Sequence, residues 1–143
     1  MDVFEISGIV GGAGLLRGDT ASRFGLIEIG EKGVTKDALL RLAKYLSLSM
    51  SQLARVLPVS ERTIQRYRRN QRFNSVVSEQ VLQIAEVAAR GTEVFGERER
   101  FLAWMKSPCR ALGNRPPAEL LRSRFGAGIV LDELGRIEHG VVS

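Results

Sequence analysis

Apolar residues recur along most of this chain with the period of an α-helix. Leu39, Leu42, Ala43 and Leu46 stand at i, i+3, i+4 and i+7 and make one apolar stripe. Ser49 precedes Met50, Leu53, Ala54 and Leu57, which predicts a second helix over 50–57, capped by the serine hydroxyl. Pro58 closes it, because proline lacks the N–H and crowds the preceding turn. Ser60 opens a third helix over residues 61 to about 70. Val77, Val81, Ile84, Ala85 and Ala88 mark a longer fourth helix, with Gly91 as its stop. Phe101, Leu102 and Met105 mark a short helix that ends near Ser107 and Pro108. Pro117 suits the first turn of another, which carries Leu120 and Leu121. Val130, Leu134, Ile137 and Val141 outline a last helix, or a helix and tail. No run alternates β-branched residues in the manner of a strand, so the expected fold is all-α.

The periodic pattern begins near residue 20. Residues 1–19 are glycine-rich and aperiodic and read as a flexible or partner-ordered arm. Gly12, Gly14 and Gly18 have a superficial likeness to a dinucleotide-binding fingerprint, but the third glycine falls one place late and no βαβ unit follows. An apolar content of 44% is too high for a disordered chain, and 143 residues suffice for one compact unit or two small ones sharing a core. The single cysteine, Cys109, excludes an internal disulfide. No run approaches the roughly 18 apolar residues of a membrane span. Asp2 and Glu5 stand where a secretory signal would carry Lys or Arg, so a soluble protein of the cytoplasm is expected. The net charge of +5 favours an acidic partner such as nucleic acid, provided the excess is clustered.

It is clustered. Between 61 and 72 a lone Glu61 stands against Arg62, Arg66, Arg68, Arg69 and Arg72. The same segment has the grammar of a helix-turn-helix: a short capped helix, a tight turn at Pro58-Val59-Ser60, and a second helix. Val59, Ile64 and Tyr67 can anchor that second helix inward, which leaves Arg62, Gln65, Arg66 and Arg69 on the opposite face. Arginine pairs bidentately with guanine and glutamine with adenine in the major groove, while further arginines hold phosphates. Ser60, Arg62, Gln65, Arg66, Arg68, Arg69 and Arg72 are therefore the expected DNA-binding residues, with Ser60 both capping the helix and meeting a phosphate. Residues 20–74 form the DNA-binding region in this reading, and a dimer spanning half-sites about 34–36 Å apart is the usual mode. Phe4, Ile9, Leu15 and Leu16 are available to help such an assembly.

Further on, Glu93-Val94-Phe95-Gly96 is followed by Trp104-Met105-x-x-Pro108-x-x-Ala111-Leu112-Gly113-x-x-x-Pro117-x-x-Leu120-Leu121. The chain then closes with Leu134-Gly135-Arg136-Ile137-Glu138-His139-Gly140-Val141-x-Ser143. Together these resemble the toxin-binding domain of the Xre/ParS/MbcA antitoxin family, and the likeness covers roughly residues 33–143. Cys109, Pro116 and Gly128 depart from the family pattern, where asparagine, a threonine cap and a longer, often basic residue are common. The resemblance implies a helix-turn-helix domain followed by a small helical toxin-binding domain over 75–143. It also implies a partner, a RES-domain toxin that degrades NAD, whose active site the antitoxin obstructs, and an operator on which it represses its own operon. A homodimer or a higher assembly with the toxin is expected. Gly135, Arg136, Ile137, Glu138, His139, Gly140, Val141 and Ser143 are the toxin-binding residues so implied. Of these, Arg136, Glu138 and His139 are the side chains expected to reach the toxin. A carboxylate such as Glu138, or the terminal one, would meet the basic groups of a phosphate-bearing cofactor site.

Nothing in the residues points to catalysis, a cofactor or a metal. His139 is the sole histidine, which excludes a His-based metal cluster and disfavours a triad. Cys109 has no base implied beside it, and Trp104 with Phe101 and Met105 reads as core. Asp132 and Glu133 are adjacent on a helix and face different directions, so no glycosidase-like pair forms. Two other readings fit the basic helix: a free-standing helix-turn-helix regulator without a toxin partner, and a scaffold that binds an acidic protein.

Overall fold

The computed structural model describes residues 23–140. In chain order its elements are α1 (Arg23–Lys32), α2 (Lys36–Tyr45), α3 (Met50–Ala54), α4 (Glu61–Arg66), α5 (Ser75–Phe95) and α6 (Arg98–Lys106), then the 3-10 helices η1 (Arg110–Leu112) and η2 (Pro117–Arg122), and α7 (Arg124–Glu138). Among the described residues there is no strand, only two isolated bridges, Thr35 to Arg72 and Cys109 to Arg115, and the all-α expectation holds. The arm over 1–19 with its glycine motif, and Val141 and Ser143, lie outside the described residues.

One apolar core runs through both halves of the chain, and α5 is its axis. This helix packs against α1, α6 and α7. It is therefore buried on more than one stripe: Leu82, Val87 and Ala89 join the expected Val77, Val81, Ile84, Ala85 and Ala88. A helix covered from several sides is apolar nearly all round. α1 crosses the first half of α5, with Gly30 close to Glu79 and Leu82. Its periodicity is weak, with Ile29 buried and Ile27 exposed, and the sequence pattern does not pick it out. α7 runs in the same sense as α5, since Arg124 meets Glu79 near one end and Glu138 meets Arg90 near the other.

Several helix ends differ from the periodic reading. The helix expected over 50–57 ends at Ala54. The amides of Arg55, Val56 and Leu57 bond to carbonyls three residues back, and this tighter turn carries Leu57 into the core. The helix expected to reach about residue 70 ends at Arg66. There Tyr67 turns to an extended backbone and stacks on Phe73, with ring centroids 4.5 Å apart. Gly91 does not stop the fourth helix, which runs on to Phe95 and ends at Gly96. Gly96 has a φ of 81°, the left-handed conformation that suits glycine at a helix end. Gly91 is instead the place where the ring of the fully buried Phe101 sits, and a Cβ there would overlap it. The turn after Pro117 is a 3-10 helix, without a side-chain cap from Pro116. α7 starts ahead of its apolar stripe, where Ser123 Oγ accepts the Gly126 amide at 2.9 Å.

Polar side chains also tie together segments that are distant in the chain. Ser78 Oγ accepts from Val34 N at 2.9 Å and donates to Phe73 O at 3.2 Å, so a buried hydroxyl on α5 ties both ends of the segment that holds α2 to α4. Gln80, also buried, donates through Nε2 to Leu121 O at 2.6 Å and fixes η2 on α5. Arg98 donates through Nε to Tyr45 O at 2.6 Å, and through Nη2 to Lys44 O at 3.2 Å and Ser47 Oγ at 2.9 Å. It thereby places a cation on the carbonyl end of α2, where the helix dipole favours one.

Candidate functional site

Serines start both helices of the helix-turn-helix. Ser49 and Gln52 form a capping box at α3, the Ser49 amide donating to Gln52 Oε1 at 2.8 Å and the Gln52 amide to Ser49 Oγ at 3.1 Å. At α4, Ser60 Oγ accepts from Thr63 N at 3.1 Å and donates to Thr63 Oγ1 at 2.9 Å. The Ser60 cap is as expected, but its hydroxyl is engaged by Thr63 on both sides rather than turned outward. Ile64 is fully buried, with Val59 and Tyr67 half-buried, so α4 is seated by the three anticipated residues. Arg62, Gln65 and Arg66 are exposed. Gln65 Nε2 leans on Glu61 Oε1 at 3.4 Å. Lys36 Nζ donates to Tyr67 O at 2.8 Å and Gln65 O at 3.4 Å, which sets a further cation at the carbonyl end of α4.

Because α4 ends at Arg66, the later arginines follow the helix instead of riding on it. Arg68 is exposed and forms no ion pair with a described residue. Arg69 Nη1 reaches Asp37 Oδ1 at 3.0 Å, and the same carboxylate takes Arg41 Nε at 3.0 Å. Arg72 Nη1 donates to Gly33 O at 2.6 Å. Main-chain bonds from Lys36 N to Gln71 O, Asp37 N to Arg69 O and Phe73 N to Val34 O fasten this loop to the start of α2. Arg62, Gln65, Arg66 and Arg68 thus form one outward cluster, while Arg69 and Arg72 also hold the loop that supports it.

At the other end, Gly135 and Ile137 are half-buried, and Arg136, Glu138, His139 and Gly140 are exposed. Arg136 Nη1 lies 3.8 Å from the buried Glu133, and Glu138 is bonded to Arg90 Nη1 at 2.7 Å. Glu138 therefore locks the last turn of α7 onto α5. Sequence reasoning missed the most exposed apolar residues of this helix, Phe125 at 87% and Ile129 at 47%. Phe125, Ile129, Asp132 and Arg136 recur at i, i+4, i+7 and i+11, so the periodicity that buries Val130 and Leu134 turns these four outward together. Two large apolar residues on the polar side of a helix were the available signal. Among the described residues no three potential metal ligands gather, and no helix is long and apolar enough to cross a membrane.

Comparison with known proteins bears on both surfaces. Residues 25–86 match the family model for the antitoxin Xre-like helix-turn-helix domain, and residues 90–140 match that for the antitoxin Xre/MbcA/ParS C-terminal toxin-binding domain. The antitoxin Xre of Yersinia enterocolitica serotype O:8 / biotype 1B is 29% identical over 120 residues, which cover 82% of this chain and 81% of that one. The antitoxin Xre of Photorhabdus laumondii subsp. laumondii is 34% identical over 73 residues, 50% of this chain and 49% of its own. A chain in the crystal structure of the M. tuberculosis MbcT-MbcA toxin-antitoxin complex superposes with a TM-score of 0.54 at 25% identity, covering 71% of this chain and 90% of that chain. With both of its halves so matched, the chain belongs to the Xre/MbcA/ParS family of antitoxins, a helix-turn-helix domain followed by a toxin-binding domain.

Proposed function

We propose that this antitoxin neutralises a RES-domain toxin by obstructing the site at which the toxin degrades NAD, and that it represses its own operon from an operator. The observation that carries the reading is the presence of two separate outward surfaces on one core. One is the Arg62, Gln65, Arg66 and Arg68 cluster, and the other is the face of α7 with the turn that follows it. In this division residues 20–74 meet DNA and residues 75–143 meet the toxin, with α5 supporting both. The protein acts by occupation and carries no catalytic step of its own, and the cytoplasm, where operator and toxin meet, is its place of action. Two copies would set their α4 helices into half-sites about 34–36 Å apart, as paired helix-turn-helix units do.

On the toxin side, Phe125 and Ile129 supply apolar contact, and Arg136 and His139 polar contact, beside Gly135, Ile137 and Gly140. Val141 and Ser143, outside the described residues, belong to the same proposed toxin-binding set. Glu138, already bonded to Arg90, aims the tail rather than entering the toxin itself. The test is co-expression with the neighbouring RES-like gene product, tagged on that partner alone, followed by pull-down and an NAD assay. The chain should co-purify, and NAD should fall only when residues 135–143 are removed. Failure to co-purify would leave a DNA-binding regulator without a toxin partner. Undiminished protection by the truncated chain would move the block from the tail to the rest of the domain.

A further inference from the structure

A cleft of about 510 Å³ opens where the helix-turn-helix half meets the C-terminal half, away from both surfaces described above. Its floor is core: Leu46, Ile84, Met105 and Leu121 line it, each otherwise buried. Its walls are apolar and half-buried, Leu48 and Val56 from the α2–α3 side and Leu102 and Ala118 from α6 and η2. Its mouth is ringed by Arg55, Lys106, Arg115 and Arg122, four exposed cations against the single carboxylate of Glu119. That carboxylate lies 3.9 Å from Arg115, and Arg55, Lys106 and Arg122 form no ion pair with a described residue.

Open apolar walls above a core floor cost free energy in water unless something covers them, and cations gathered at the mouth repel one another unless an anion joins them. The volume falls in the range of small-molecule sites, which are mostly apolar with a few convergent polar groups. Duplex DNA would satisfy the cations but has no apolar body for the floor. We infer that this cleft binds an anionic amphiphile, a single-chain carboxylate whose apolar body fills the cleft and whose head group meets Arg55, Lys106 and Arg122. Arginine offers a carboxylate two parallel N–H donors, so the head group is held by geometry as well as charge. Bound there, the ligand touches α2–α3 on one side and α6–η2 on the other. It stabilises the fold by mass action and bridges the two halves of the chain. The inference needs neither the NAD reading of the toxin nor repression of the operon.

Decanoate below its micelle concentration is the probe, titrated into the full chain by calorimetry beside decanol, acetate and decyltrimethylammonium. Decanoate should bind one per chain and raise the melting temperature, while acetate and the cationic amphiphile should do neither. Losing charge-assisted contacts weakens binding about tenfold or more, so decanol should bind that much more weakly than decanoate. Arg55→Gln with Arg122→Gln, at exposed positions, should keep the fold and weaken decanoate by a similar factor while leaving decanol unchanged. Ala118→Trp should fill the cleft and remove both. Equal binding of decanoate, decanol and the cationic amphiphile would overturn the inference, as would decanoate binding indifferent to the arginine pair. A cleft that ignores decanoate, in a chain whose Ala118→Trp variant loses capture of its toxin, would also overturn it and make the occupant a segment of the toxin. Sedimentation with phosphatidylglycerol vesicles in the absence of decanoate binding would assign the cations to a membrane surface instead.

Discussion

At Gly91 two opposed effects act on one atom position. Alanine is the better helix former by roughly 1 kcal/mol, and Gly91 lies well inside α5. The ring of Phe101 nevertheless occupies the space a Cβ needs, and overpacking a core costs typically about 1–3 kcal/mol. Overpacking wins here, because Phe101 is fully buried and has nowhere to retreat. Gly91→Ala should therefore lower stability, by up to about 2 kcal/mol in urea unfolding. The loss should shrink when Phe101→Leu is added, and a stabilised single variant would show that the ring can move aside. Ser78 poses a different cost. Its hydroxyl satisfies the buried Val34 amide, so Ser78→Ala leaves that N–H without a partner, at about 1–3 kcal/mol. Neither role is legible in the sequence, where Gly91 reads as a helix stop, since what the two residues touch is 10 and 44 positions away.

Among the elements, α4 stops short of its periodic reading, and the departure sorts the arginines by role. If α4 enters the major groove of an operator, residues on its exposed face would meet base edges and those beyond it phosphates. Arg62→Ala or Gln65→Ala should reduce discrimination between operator and scrambled duplex by roughly 1–3 kcal/mol, read by fluorescence anisotropy. Arg68→Ala should weaken both duplexes alike and reduce the slope of log affinity against log salt by about one. Arg72→Ala should instead lower the melting temperature, because its guanidinium holds Gly33 O at 2.6 Å and the loop beneath α4 depends on that bond. An Arg72 variant with unchanged melting and a reduced salt slope would return this residue to the phosphate-binding set. The capped starts of α3 and α4 were legible, since a serine before an apolar run has a local cause. The end of α4 was not, because Phe73 draws Tyr67 out of the helix from six residues away.

For the whole molecule, the single core means that the outward surfaces of α4 and α7 share one stability. A useful variant must damage a surface and spare the core. Phe125 meets that condition at 87% exposure. Phe125→Asp should alter unfolding free energy by no more than about 0.5 kcal/mol, as exposed substitutions do. If the outward face of α7 docks the toxin, the same change should weaken the complex by about 2 kcal/mol or more, the loss expected of a buried aromatic anchor. Surface plasmon resonance against the immobilised partner separates the two quantities. Wild-type affinity in the Phe125→Asp chain would confine the interface to the tail.

Periodicity, capping serines and the run of arginines were enough to determine an all-helical chain with a helix-turn-helix near its middle. These signals act over one or two turns, where side-chain spacing and main-chain capping obey local rules. The tail motif carried the family in the same way, by residues close together in the chain. Tertiary packing decided where helices stop, why a glycine sits inside α5, which arginines are left outward, and that Glu138 is bonded to Arg90. It also made the cleft, whose lining comes from three separate stretches of chain with Ile84 of α5 at its floor. Each of these rests on contacts between residues distant in sequence, and such contacts leave no periodic trace in the segments they join.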